Sequence, residues 1–379
     1  MFAAILLSPF PAAMAQSVAP PIGLDEDDVP IAMLVDTGTG QVLFSRNPDR
    51  RFVPASITKA MTLYTAFDLV EEGKLGLQQS LTVRPETWLE WRYKGSRMFL
   101  NADEDVPVGT LLTGIANVSA NDAAIVLAEG AMGSVTAWTA QMNIKARAIG
   151  MTQSHFGTPN GWPDEGRTFT TARDLVTLGG ALTRDHPRAV ARFIGLPGFR
   201  YGGIAQTNQD PMLGRVKGAD GIKTGYTNEA GFGFLGTAKR GDQRLVMVVA
   251  GVARKGVRNR AARNLMEWGF SAFDRRSLFD AGAVITRAQV QDGSQRSVRL
   301  ISEVPVTLSI PKGQDKDIRI TVRYDGPLRA PINTGDVVAN LELETPGLDT
   351  LRIPLVAGES VAKAGFFARI ANAFAGWFA

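Results

Sequence analysis

The residues best placed to do covalent chemistry are Ser56 and Lys59, in the stretch PASITKAMT from Pro54 to Thr62. A serine hydroxyl is not ionised near neutral pH and attacks a carbonyl only when a base takes its proton. The 379-residue chain has two histidines and no cysteine, so an amine is the base at hand. A lysine can serve once burial or nearby positive charge lowers its pKa enough to leave part of it neutral. A helix beginning after Pro54 would set Lys59 one turn from Ser56. Free amides and the helix dipole at that end also favour developing negative charge. The spacing alone carries little, because Ser is a common helix start. The same S-x-x-K spacing recurs at Ser309–Lys312 and Ser360–Lys363. Pro311 forbids a regular helix across the first of these, and the second reads as the cap of a C-terminal helix.

Two further patterns accompany the pair. Ser119-Ala120-Asn121 precedes a helical run, and Lys223-Thr224-Gly225 stands at the start of a strand segment. Taken singly, Ser119 and Asn121 read as helix caps and Lys223 as an exposed cation. In order with Ser56-Ile57-Thr58-Lys59, they match the three-part signature of serine penicillin-recognising enzymes. The chain resembles the serine-type D-Ala-D-Ala carboxypeptidases, the low-molecular-weight penicillin-binding proteins. KGSRMFL (94–100), HFGTPNGW (155–162), TTARDLVTLGGAL (170–182) and NLMEWGF (264–270) extend the resemblance over nearly the whole chain.

The resemblance implies a role for each position. Ser56 attacks the carbonyl of the penultimate D-Ala, Lys59 accepts its proton, Ser119 relays a proton toward the leaving amine, and Asn121 orients the substrate amide. Lys223 supplies positive potential. Thr224 binds the terminal carboxylate with Arg258, which is chosen from among Arg254, Lys255, Arg260 and Arg263 by family spacing alone. The backbone N–H groups of Ser56 and Tyr226 form the oxyanion hole, and Gly225 is small so that the strand edge can approach the substrate. The implied reaction removes the terminal D-alanine from peptidoglycan pentapeptide stems through a Ser56 acyl-enzyme, with β-lactams as covalent inhibitors. No metal or organic cofactor is implied. The alternatives are a DD-endopeptidase, a β-lactamase of the same fold, and a non-catalytic peptidoglycan-binding protein. A β-lactamase would need a carboxylate to drive water onto the acyl-enzyme, and Glu165, in a Pro-Asp-Glu-Gly context, is a poor match for it.

These residues need elements to hold them. IAMLVD (31–36) and QVLFSR (41–46) flank a Gly-rich turn and read as a hairpin. A helix follows from Ala55, then short helices over 107–150 and 171–194, a second hairpin of GFGFLGTAK (231–239) and RLVMVVAGV (244–252), and a helix from Asn259 to Asp274. Strands at both ends of a helical middle predict an α+β fold, one sheet flanked by helices with a helical insertion. The family's version is an antiparallel sheet. This domain is expected over 16–278. Short strands separated by Gly, Pro and Asp predict a small β-sandwich over 279–358.

The two ends suggest location. Residues 1–15 are an apolar run ending in Ala13-Met14-Ala15, read as a signal peptide, although no Lys or Arg precedes the run. In residues 359–379, Phe366, Phe367, Ile370, Phe374, Trp377 and Phe378 fall in one sector about 120° wide at ~100° per residue. That is the pattern of an amphipathic helix lying on a membrane surface, too short and polar to span one. In the family such a helix lays the enzyme on the outer, periplasmic face of the inner membrane. At a net charge of +4 the basic residues are dispersed, without an aromatic-interleaved cluster, which argues against nucleic acid as a partner.

Overall fold

The computed structural model describes residues 21–314 and 317–365. The signal-peptide reading and the aromatic face of the expected C-terminal helix lie outside the described residues. The chain divides into two compact units, Pro20–Ser271 and a second that begins at Ala272.

The first unit opens with the expected hairpin, β1 (Ile31–Asp36) and β2 (Val42–Arg46). Its turn is closed by Asp36, whose Oδ1 accepts from the amides of Gly38 and Thr39 at 2.9 and 3.3 Å. A helical middle follows: α1 (Lys59–Glu71), β3 (Ser80–Thr82), α2 (Pro85–Trp91), β4 (Asp105–Pro107), α3 (Val108–Asn117), α4 (Asn121–Met132), α5 (Val135–Ala148), α6 (Ala172–Asp185) and α7 (Pro187–Phe193). A small hairpin of β5 (Gly198–Tyr201) and β6 (Ile204–Thr207) leads back to β7 (Ala219–Thr227), β8 (Gly231–Arg240), β9 (Gln243–Val252) and α8 (Lys255–Ser271). The five-stranded sheet runs β2-β1-β9-β8-β7 and is antiparallel throughout. The two ends of the unit meet where β1 pairs β9, from Ile31 opposite Ala250 to Asp36 opposite Leu245.

Both faces of this sheet are covered, which is why RLVMVVAGV reads as an unbroken apolar run. Alternate side chains serve opposite helices. A Cβ on Gly269 of α8 would stand 2.5 Å from Leu34 and 2.8 Å from Leu245. A Cβ on Gly179 of α6 would stand 2.7 Å from Val246 and 3.2 Å from Leu235. One glycine on each helix therefore sets how closely it seats on the sheet.

Three boundaries differ from expectation. Ser56 lies on a single 3-10 turn, Ala55–Thr58, and the α-helix starts only at Lys59. Lys223-Thr224-Gly225 sits in the middle of β7 and not at its start. Helix α8 begins four residues before Asn259, at Lys255, and stops at Ser271 instead of Asp274.

The second unit is all β: β10 (Phe273–Phe279), β11 (Val284–Gln291), β12 (Ser297–Ile301), β13 (Val306–Pro311), β14 (Arg319–Arg323), β15 (Leu328–Arg329), β16 (Val337–Glu344) and β17 (Leu351–Ala357). Six strands form a sheet in the order β14-β16-β17-β12-β11-β15, and β10 pairs with β13. Val298, Leu300, Leu308, Leu341, Leu343 and Leu355 are fully buried in its core. Because β10 pairs β13 from Phe273–Pro311 to Phe279–Val306, the unit takes in residues 273–278, which the sequence pattern assigns to the preceding helix and domain. Ser309 is buried within β13. Ser360 and Lys363 do not start a helix. Val361 exchanges backbone hydrogen bonds with Ile332 and fills the β core, Lys363 bridges to Gly293, and Ser360 Oγ accepts from the Thr334 amide at 3.0 Å. Burying Val361 holds this stretch extended.

Candidate active site

The seat of Ser56 is built from three parts of the chain. Ala55 has a left-handed φ of 48°, uncommon for a residue with a side chain, and it turns the backbone sharply after Pro54. On one side stands Gly161, with φ 72°, where a Cβ would lie 1.8 Å from the Ala55 carbonyl oxygen. On the other stands Gly225, where a Cβ would lie 2.5 Å from the Pro54 oxygen and 2.9 Å from Ile57. The sequence reading placed the demand for a small residue at Gly225 on the approaching substrate. The structure places it on the serine's own turn.

Lys59 is fully buried. Its Nζ lies 2.9 Å from Ser56 Oγ, 2.7 Å from Asn121 Oδ1 and 2.6 Å from the Asn160 carbonyl oxygen. Burial, and after it the charge of Lys223, hold its pKa well below the usual lysine range. The contact set is suited to a neutral amine. Asn121 Oδ1 and Asn160 O can only accept, and they take the two N–H bonds of an uncharged amine. Its one lone pair is then left for the Ser56 hydroxyl proton.

Asn121 opens α4 without capping it, and no side chain caps that helix. Its Nδ2 donates instead to the Lys94 carbonyl at 3.2 Å. The close fit requires glycine at Gly95, where a Cβ would approach Asn121 Nδ2 to 2.7 Å. Ser119 has a left-handed φ of 61°, and its side chain lines the cavity with Ser56. The capping alternative for this motif is therefore displaced by contacts to the site.

Lys223 is buried on β7, and burial together with the charge of Arg258 lowers its pKa to about 7. Arg258 is 2% exposed, donates to the Gly233 carbonyl at 3.1 Å, and is lowered to about 10 by burial. Its neighbour Arg254 is exposed and paired with Asp28, and Lys255, which also lines the cavity, is exposed and donates to Gln209, so Arg258 is the buried cation of this group. Thr224 lines the same cavity of about 460 Å3. Tyr226 turns its side chain outward, half exposed, stacked on Phe232 at 4.1 Å.

Two residues escaped sequence reasoning. Asn160 works through a main-chain carbonyl, which no side-chain pattern reveals. Asp210 lines the cavity, accepts from the Met212 amide at 2.7 Å, and leaves Oδ2 buried without a partner among the described residues. Burial pushes its carboxyl up to about 6, against the pull of Arg258 and Lys223. Glu165, weighed as a water-activating carboxylate, is exposed in a left-handed turn (φ 62°) and is not part of the cavity wall. Among the described residues no group of His, Cys, Asp or Glu is placed to hold a metal ion.

The family model for D-alanyl-D-alanine carboxypeptidase matches residues 15–254, and that for the penicillin-binding protein 5 C-terminal domain matches 273–363. The D-alanyl-D-alanine carboxypeptidase DacA of Escherichia coli K12 is 32% identical over 353 residues, 92% of this chain and 87% of that protein. DacA of Haemophilus influenzae is 31% identical over 343 residues, 89% of this chain and 86% of that one. The structure of penicillin binding protein 5 from Haemophilus influenzae matches with a TM-score of 0.81 at 30% identity, covering 89% of this chain and 98% of that one. Penicillin-Binding Protein D2 from Listeria monocytogenes, in its ampicillin-bound form, matches at 0.58 and 27% identity, over 64% of this chain and 98% of that one.

Proposed function

The chain belongs to the D-alanyl-D-alanine carboxypeptidase family of penicillin-binding serine enzymes, and from that premise we propose that it trims the terminal D-alanine from peptidoglycan pentapeptide stems through an acyl-enzyme on Ser56. The observation that carries the assignment of roles is the set of three contacts at Lys59 Nζ. As Ser56 Oγ bonds to the penultimate D-Ala carbonyl, its proton passes to the Lys59 lone pair. The oxygen that becomes negative is held by the Ser56 and Tyr226 amides. Ser119 passes that proton from Lys59 to the D-alanine nitrogen as the C–N bond breaks, which leaves Lys59 neutral again, and Asn121 orients the substrate amide. Thr224, Arg258 and Lys223 receive the terminal carboxylate. Water then attacks the ester, Lys59 again taking the proton, and the shortened stem leaves. The ampicillin-bound form of the Listeria relative supports β-lactam binding here, and the nucleophilic role proposed for Ser56 would make such a ligand an acylating agent.

The test is direct. The full chain is incubated with a pentapeptide ending in D-Ala-D-Ala, free D-alanine is measured, and a second sample is treated with penicillin. D-Alanine release, with the mass of penicillin added to the peptide that contains Ser56, is the expected result. A folded protein that takes up penicillin and releases no D-alanine would rule out the carboxypeptidase reading. Free penicilloate at many turnovers would favour a β-lactamase.

The aromatic sector of 366–379 and the apolar leader support an exported enzyme held peripherally on the periplasmic face of the inner membrane. Deleting residues 366–379 should move the protein from the membrane fraction to the soluble one. Undiminished sedimentation with membranes would exclude this anchor.

A further inference from the structure

The stretch 91–101 lines two cavities. Gly95 and Ser96 face the one that holds Ser56, while Arg92, Tyr93, Arg97 and Phe99 line a second, of about 240 Å3. The two are adjacent. Asn121 lines the first and Asp122 the second, and Trp91 of the second meets Trp162 of the first edge-on at 5.5 Å.

Rings and guanidinium groups alternate along the second cavity. Arg92 lies 4.7 Å from the Trp88 centroid and 5.0 Å from that of Tyr93. Arg97 lies 5.8 Å from Tyr93 and 4.9 Å from Phe99. Tyr93 is 78% exposed, so the ladder stands at the surface. Neither arginine is ion-paired with a carboxylate among the described residues, and the Arg97 Nε is buried without a hydrogen-bond partner. Several other arginines of this unit, Arg173, Arg240 and Arg244 among them, are instead matched with Asp49, Glu267 and Asp220. The neighbouring Lys94 is matched with Glu90 at 3.1 Å. The one carboxylate in the cavity lining, Asp122, is engaged by the amides of Met98, Leu100 and Ala123, and burial pushes its carboxyl upward.

Stacking on aromatic faces fixes a guanidinium and leaves its N–H edge free, so little side-chain freedom remains to be lost when an anion arrives. A planar donor edge of that kind fits a carboxylate. We propose that Arg92 and Arg97 form a subsite for a carboxylate on the substrate's peptide, two or three residues before the scissile bond. An extended peptide advances ~3.3–3.6 Å per residue, which sets such a group roughly 7–11 Å from the reacting carbonyl. The inference rests on the carboxypeptidase reading for its substrate, and its test uses no hydrolysis.

The full chain carrying Ser56→Ala is titrated calorimetrically with two peptides ending in D-Ala-D-Ala. One carries a free carboxylate at the upstream position and the other the corresponding amide. The carboxylate peptide should bind about tenfold more tightly, the scale of a charge-assisted pair at a partly exposed site. Adding Arg92→Ala or Arg97→Ala should bring the ratio of the two affinities toward one, and 0.5 M salt should shrink it in the parent. The amide peptide reports in each case that the fold and the first cavity are intact. An affinity ratio near one in the parent, or a ratio untouched by both arginine substitutions, overturns the subsite. Absence of D-alanine release from the unsubstituted chain would overturn the reaction instead and leave the affinity ratio readable.

Discussion

Exchanging Ser56 for alanine should lower D-alanine release by on the order of 10^5–10^6-fold while leaving peptide affinity within a few-fold, as expected when a nucleophile acting in a concerted unit is removed. Every side chain that receives the substrate lies on another element: Thr224 and Lys223 on β7, Arg258 on α8, and Asn121 on α4. The cavity should therefore persist without the hydroxyl. Burst and steady-state measurements of D-alanine, set beside calorimetric affinity, separate the two quantities. Residual turnover above about one part in a thousand would mean that another group carries the acyl chain, since binding and oxyanion stabilisation alone leave little after such a deletion.

Lys59→Arg should cost roughly 10^3–10^4-fold in kcat/KM, the scale of a lost general base. A guanidinium keeps the charge and the donors but has no lone pair to accept the Ser56 proton. The pH dependence follows from the same chemistry. The activity of the natural chain should rise from the acid side as Lys59 sheds its proton. It should fall above about 7, where Lys223 loses the charge that receives the carboxylate. The arginine variant should lose the acid limb and keep the alkaline one. An unchanged acid limb would assign it to another group. Stability moves with the same titrations. The folded pKa of Lys223 is about 7 and its ordinary value is 10.5, so between these the unfolded chain binds more protons and stability rises with pH. Lys59 acts in the same sense. Below that window the full cost of burying charge remains.

The candidate catalytic side chains were legible because they announce themselves locally. An i, i+3 Ser–Lys pair, an S-x-N before a helix and a K-T-G in a strand are short patterns whose order along the chain is itself information. What the chain does with main-chain atoms was not legible. Asn160 contributes a carbonyl, and Gly161 and Gly225 contribute the absence of a Cβ beside a turn far away in sequence. Asp210 belongs with these, since its meaning comes only from the two cations buried near it. Boundaries failed where tertiary pairing outweighed local period. The helix expected to reach Asp274 stops at Ser271, and FDRRSLF, which begins within that expected helix, finds a partner in β13 along its length. The segment from Ser360 reads as a helix start by spacing, but Val361 has a place in the β core and its amide bonds Ile332.

The seat of Ser56 has a consequence for how molecules of this protein can be counted. Its turn is held between Gly161 and Gly225, and its base is held by Asn121 and Asn160. None of these neighbours is close in sequence, and contacts of that kind close late in folding. A chain still being assembled thus owns a serine and a lysine with ordinary, unreactive chemistry. On that order reactivity would arrive with the last long-range contacts, so a labelled β-lactam that acylates Ser56 would serve as a census of finished molecules, blind to every unfinished one in the same tube.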